Sequence, residues 1–112
     1  MEPSFSEYWA IIQHEVPIEE ALPAWSVASQ AKTKFEITNV MPSLVIVRPE
    51  NGRERKVPKS DFQSVFGIWD DYKSRRMPRH QLGFSQHSTY IISIFHWAEG
   101  VMARRHDGTF EV

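Results

Sequence analysis

Hydrophobic positions along the chain change their period several times, and each change marks an element. Phe5, Tyr8, Trp9, Ile11 and Ile12 recur at three- and four-residue intervals, the spacing of one helix face. Ser4 and Glu7 have capping-box spacing, so a short amphipathic helix runs to about His14. Pro17 blocks its continuation. Residues 17–32, with Pro23, Ser26 and Ser29, read as a connector with room for one helical turn, packed down by Leu22, Trp25 and Val27.

From Lys34 the period becomes two. Phe35 and Ile37 fall on one face and Lys34, Glu36 and Thr38 on the other, as in a half-buried strand. Leu44-Val45-Ile46-Val47 is apolar on both faces and suits a central strand, whereas Arg53-Glu54-Arg55-Lys56-Val57 is polar and suits an edge. Between them Pro49-Glu50-Asn51-Gly52 supplies the turn. A tight Asn-Gly loop pairs Ile46 with Val57, and a four-residue loop pairs Leu44 with Val57. Either register puts Val57 on the face shared by Leu44 and Ile46.

Pro58 then closes the strand, and Ser60 is placed to cap a helix over residues 60–76, with Gln63 at the reciprocal position and Asp61 near its positive end. Phe62, Val65, Phe66, Trp69 and Tyr72 form the apolar stripe, and Lys73, Arg75 and Arg76 suit the negative end. Pro78 prevents simple extension. After a loop through Gly83, Ser88 is placed to cap a helix over 88–99. Its Tyr90, Ile91, Ile92, Ile94, Phe95 and Trp97 wrap most of the circumference, which makes it the most buried element. Gly100 offers a stop, with Val101-Met102-Ala103 able to carry the helix further. Residues 109–112 offer a further short strand. The fold class is α+β: a small antiparallel sheet of three strands, or four with that last one, packed against about three helices. Residues 1–112 form one domain, in which an acidic helical segment, 1–31, packs on a core over 34–105.

Composition supports one core. A chain of 112 residues buries about two-thirds of its unfolded surface, and four Trp, three Tyr and seven Phe supply the bulk. With no Cys there is no disulfide, thiolate metal site or Cys nucleophile. The start Met1-Glu2-Pro3-Ser4 lacks the basic and apolar runs of a secretory signal, and no apolar stretch reaches bilayer length. A soluble, cytoplasmic protein is the expectation. The net charge of −1 is unevenly spread. Residues 1–31 carry Glu2, Glu7, Glu15, Glu19 and Glu20 without Lys or Arg, while the remainder holds 13 basic against 9 acidic residues. An acidic segment folded against a basic face accounts for this.

No pattern identifies a catalytic centre. Glu54-Arg55-Lys56 puts a carboxylate and a lysine two residues apart, as metal-dependent nucleases do. That chemistry needs a second acid, and the upstream choices, Glu50 and Glu36, are poorly placed, so a charged edge strand explains the triplet more economically. His14, His80, His87, His96 and His106 lack metal-ligand spacing. His96 and Glu99 share a helix face but form only a pair, better read as a surface ion pair or a histidine half-buried beside Trp97. Neither metal nor cofactor is expected. The glycines are too scattered for a phosphate loop. A helix-turn-helix aligned on Gly83 fails at Arg79 and Thr89, where a small and an apolar residue belong. Two basic clusters bear on nucleic acid: Arg53, Arg55, Lys56 and Lys59, and Arg75, Arg76, Arg79 and His80. Residues 51–80 hold eight Lys or Arg against four acids. On one face they would bind phosphates in a salt-dependent way, but a solvated rim is the simpler reading.

The order of a Phe35-x-Ile37 strand, Asn51-Gly52-Arg53, Ser60-Asp61-Phe62, Trp69-Asp70-Asp71-Tyr72 and Ser88-Thr89-Tyr90-Ile91 resembles small uncharacterised bacterial proteins, including some carried on mobile gene cassettes such as integrons. The resemblance covers somewhat over half of the chain. It implies a bacterial accessory protein and supplies no catalytic residues. The expected role is a non-catalytic binding or assembly module. Tyr8, Trp9 and Trp25, in the least regular part of the chain, are the interface candidates toward a second copy or another protein. Sequence-independent nucleic-acid binding is the first alternative. Binding of a small apolar ligand among the aromatics is the second, and it requires a cavity.

Overall fold

The computed structural model describes residues 3–25, 30–50, 52–74 and 87–109. The first helix, α1 (Phe5–Glu15), is capped as its sequence requires: the Ser4 hydroxyl accepts the Glu7 N–H at 3.3 Å. It buries Tyr8, Trp9, Ile11 and Ile12, and Val16 turns extended just before Pro17.

The main departure from the sequence pattern comes directly after this helix. The segment read as a connector contains a strand, β1 (Ala21–Trp25), and the next strand, β2 (Gln30–Met41), begins earlier than expected. Their pairing is antiparallel, with Leu22 opposite Phe35 and Pro23 opposite Lys34. A five-residue edge strand tolerates Pro23, because only one of its two sides needs backbone donors. Leu22 and Ala24 are buried while Ala21 and Pro23 are exposed, an alternation too short and too interrupted by proline to declare itself in sequence. The pair Pro42-Ser43 connects β2 to β3 (Leu44–Pro49), which pairs in turn with β4 (Arg55–Pro58). The sheet is a four-stranded antiparallel meander in the order β1-β2-β3-β4, with the apolar β3 inside and the charged β4 at an edge.

Register differs from both alternatives. Val57 lies opposite Val45, and Arg55 opposite Val47, because the connection spans the odd number of residues 50–54. An odd loop moves the strand by one residue and turns the other side chain of each pair inward. Val45, Val47 and Val57 are all fully buried, whereas Leu44 and Ile46 are half-buried on the opposite face. The Gly52 N–H reaches the Pro49 carbonyl, and a Cβ on Gly52 would come within 2.9 Å of the Pro49 ring. Asn51 lies outside the described residues. A bulge between Ile37 and Asn39 shifts β2 against β3, so that Val40 joins Phe35 and Ile37 on the core side.

The expected helix over 60–76 is two. Helix α2 (Lys59–Phe66) is followed by Gly67, a poor helix former, and Ile68, then by the single turn α3 (Trp69–Lys73). The cap of α2 is Pro58, with no side-chain hydrogen bond, and Ser60 is already inside the helix. Phe62, Val65, Trp69 and Tyr72 are nevertheless all buried. Helix α4 (Ser88–Thr109) runs through Gly100 rather than ending there, and Ser88 is its first residue, behind His87 whose carbonyl receives the first helical N–H groups. Thr109 is therefore helical, and residues 110–112, read as a short strand, lie outside the described residues.

Helices α1, α2 and α4 cover one face of the sheet. Helix α4 lies in the middle of that layer, against β1, α1 and α2, while α1 also touches β2 and α2 touches β4. Its Ile91, Ile92, Ile94, Phe95 and Ala98 are fully buried in a single cluster with the inward sheet residues. The buried Ser93 hydroxyl donates to the Thr89 carbonyl at 2.7 Å and accepts the Trp25 N–H at 2.9 Å, tying the end of β1 to the central helix. Among the described residues no helix is long and apolar enough to cross a membrane.

Candidate functional site

Where α1, α3 and α4 converge, away from the sheet, the aromatic packing leaves a cleft of about 450 Å³. Its walls follow from the helix periods. The Tyr8 ring, on the buried face of α1, packs edge-on against Phe66 and Phe95. Helix α3 presents Trp69, Asp70 and Lys73 within a single turn, with the Lys73 ammonium 5.1 Å from the Trp69 ring centre. One turn beyond the core residue Phe95, α4 contributes Glu99, with Met102 three residues further on.

Polar groups of three helices meet at one atom. Glu99 Oε2 accepts the Tyr8 hydroxyl at 2.6 Å, the Trp69 indole N–H at 3.0 Å and the Lys73 ammonium at 2.5 Å. Lys73 also lies 3.6 Å from Asp70. Tyr8 is only 3% exposed, and its hydroxyl is held protonated far above the usual phenol range, first by burial, then by its hydrogen bond to Glu99 and by that carboxylate's charge. Among the described residues, Glu99 Oε1 accepts no hydrogen bond, and the side chain, which lines the cleft, is 29% exposed.

The other residues singled out from the sequence fall elsewhere. Tyr8 and Trp9 point into the core, at 3% and 8% exposure, and Trp25 is half-buried. The Trp25 ring stacks on the exposed His96 at a centroid distance of 4.2 Å and meets Trp69 and Tyr72 edge-on. So His96 lies flat on Trp25 rather than half-buried beside Trp97, and Glu99 is engaged by Tyr8, Trp69 and Lys73. Arg53, Arg55 and Lys56 are exposed at the β4 edge, where strand alternation sends Arg55 and Lys56 to opposite faces. Lys59 is half-buried, 5.7 Å from the Trp9 ring centre. Arg75, Arg76, Arg79 and His80 lie outside the described residues.

Neither acid proposed to join Glu54 and Lys56 is placed to do so. Glu36 pairs with Arg48 at 3.1 Å, and Glu50 accepts the Lys34 N–H at 3.1 Å. Among the described residues no three His, Asp or Glu side chains are grouped as a metal ion needs. Of the acidic N-terminal segment, Glu15 meets Arg105 of α4, while Glu19 and Glu20 are exposed.

Sequence reasoning noticed Glu99 only as a neighbour of His96. The Trp69-x-x-x-Lys73 spacing was the visible signal, since it puts a cation over a ring on any helical turn. Tyr8 and Glu99, 91 residues apart, meet only through the packing of α1 on α4. No family model, no curated protein and no solved structure matches the chain.

Proposed function

We propose that the protein is a non-catalytic binding module that takes a small ligand with an apolar body into the cleft at Glu99. The observation that carries this is the convergence of three donors, fixed on two helices, on one oxygen of a carboxylate that a third helix contributes to the lining of the cleft. Ligand sites combine an apolar wall with a few fixed polar groups, and about 450 Å³ lies within their usual range. Phe66, Met102 and the edges of Tyr8 and Trp69 supply the wall. Binding is favoured over proton-transfer chemistry because the Tyr8 hydroxyl is locked in its protonated form and Glu99 Oε2 is saturated with donors. Assembly through Tyr8 and Trp9 has less support, since both rings are inside the core. Phosphate binding at the described basic residues has less support too, since Arg55 and Lys56 diverge.

A thermal-shift screen of small amphipathic compounds, mapped by the Trp69 indole resonance, tests the reading. We expect reproducible stabilisation by at least one chemical class, with a shift of that resonance and loss of both in Met102→Trp, whose ring occupies the cleft. Absence of any stabilising compound, or stabilisation unaffected by Met102→Trp, would overturn it.

A further inference from the structure

Resting on that binding reading, we infer that the ligand is an organic cation, an ammonium or protonated amine carried on an apolar body. The charged lining residues are Asp70, Glu99 and Lys73, two carboxylates against one ammonium, so the cleft carries a net charge of −1. The ammonium is already committed: Lys73 contacts Glu99 at 2.5 Å and Asp70 at 3.6 Å. An anionic ligand would find Lys73 neutralised and meet the Glu99 charge directly. An N–H donor bearing positive charge instead matches Oε1, since a carboxylate has about four acceptor positions and the donors from Tyr8, Trp69 and Lys73 all use Oε2.

Lys73 supplies an internal precedent. Its ammonium rests between a carboxylate and the Trp69 ring, 5.1 Å from the ring centre, the ring-and-carboxylate setting that recognises amines generally. A ligand ammonium on Oε1 would stand on the other side of the same carboxylate, its apolar part against Phe66 and Met102. Asp70, with 62% of its side chain exposed, adds negative potential at the rim.

The test titrates the full chain with 2-phenylethylammonium, 2-phenylethanol and 3-phenylpropanoate, which share a ring and differ in charge, while following the Trp69 indole N–H by NMR. The ammonium compound is expected to shift that resonance saturably and at least tenfold more tightly than the alcohol. Glu99→Gln, which keeps an acceptor for Tyr8 and Trp69, should weaken it tenfold or more, as loss of a charge-assisted hydrogen bond does. Asp70→Asn, at an exposed position that leaves the fold intact, should weaken it about two- to fivefold. Equal binding of the alcohol, or tighter binding of the carboxylate, would overturn the cationic class while leaving the cleft as a binding site. So would a Met102→Trp-sensitive ligand from the screen if the ammonium probe produced no shift. If no compound of any charge is sensitive to Met102→Trp, the underlying reading fails, and the inference with it.

Discussion

Replacing Glu99 with alanine removes the acceptor on α4 that donors from α1 and α3 share, and the structure sets the size of the effect. Tyr8 and Trp69 are 3% and 2% exposed, and their O–H and N–H both donate to Oε2. A buried donor left without a partner costs about 1–3 kcal/mol. Lys73 is a different case, because its side chain is 33% exposed and its ammonium regains water, so its share is about 1 kcal/mol or less. The cleft also admits water beside the two orphaned donors, which places the expected total at about 2–4 kcal/mol. That is a large part of the roughly 5–15 kcal/mol that holds a domain of this size folded. Glu99→Gln keeps an oxygen for Tyr8 and Trp69 and loses only the charge, for a cost of about 1–2 kcal/mol. Urea unfolding followed by tryptophan emission and far-ultraviolet circular dichroism gives both values, provided the denaturant slope is shared with the parent. A loss below about 1 kcal/mol for Glu99→Ala, or equal losses for the two variants, would refute the reasoning.

Two further outcomes rest on the same geometry. The Tyr8 phenol is raised in the folded chain relative to the unfolded one, so the folded state holds its proton more tightly; the stability this contributes is complete below the ordinary phenol value of about 10 and is lost as pH climbs above it. Urea titrations between pH 8 and 11 should show the parent losing stability above about pH 10 more steeply than Tyr8→Phe, and parallel curves would contradict the cause assigned to the shift. Gly100→Ala should stabilise α4 by about 0.5–1 kcal/mol, because alanine is the better helix former and the added Cβ would meet Arg104 at 3.6 Å, an ordinary contact. Thermal unfolding should then shift upward by roughly 3–6 °C, and a downward shift would show that Gly100 is needed for close approach.

Elements with a long or strongly marked period were legible in the chain. Helix α1 and its Ser4 cap, the Phe35-Ile37 face of β2, the double-sided apolarity of β3 and the dense apolar surface of α4 all appear where the pattern puts them. Weakly marked ones were not. Strand β1 has five residues interrupted by Pro23, and its identity as a strand comes from the ladder that β2 offers it. Ser60 has a capping residue's chemistry, but the chain enters α2 through Pro58, so local preference gave way to the path out of β4. The break at Gly67 was hidden because Phe62, Val65, Trp69 and Tyr72 keep helical spacing across it.

The candidate site was the least legible part, for a physical reason. Each of its members has an ordinary local explanation: Tyr8 and Trp69 as core aromatics, Lys73 as a cation near a helix end, Glu99 as a solvated carboxylate. Their chemistry arises only when α1 and α3 close against α4, which brings donors from positions 8, 69 and 73 to the oxygen of residue 99.

By itself, the order of apolar and polar residues determined that this chain is an α+β protein with one core, that β3 lies inside the sheet and β4 at an edge, and which helix is most deeply enclosed. Burial is proportional to apolar area and repeats with the period of each element, so it leaves its mark in the sequence. Tertiary structure alone decided that Val45 and Val47, rather than Leu44 and Ile46, face the core, because a loop one residue longer or shorter inverts the strand. It alone decided the meeting at Glu99, because hydrogen bonds act over about 3 Å between groups whose separation along the chain carries no information about their separation in space.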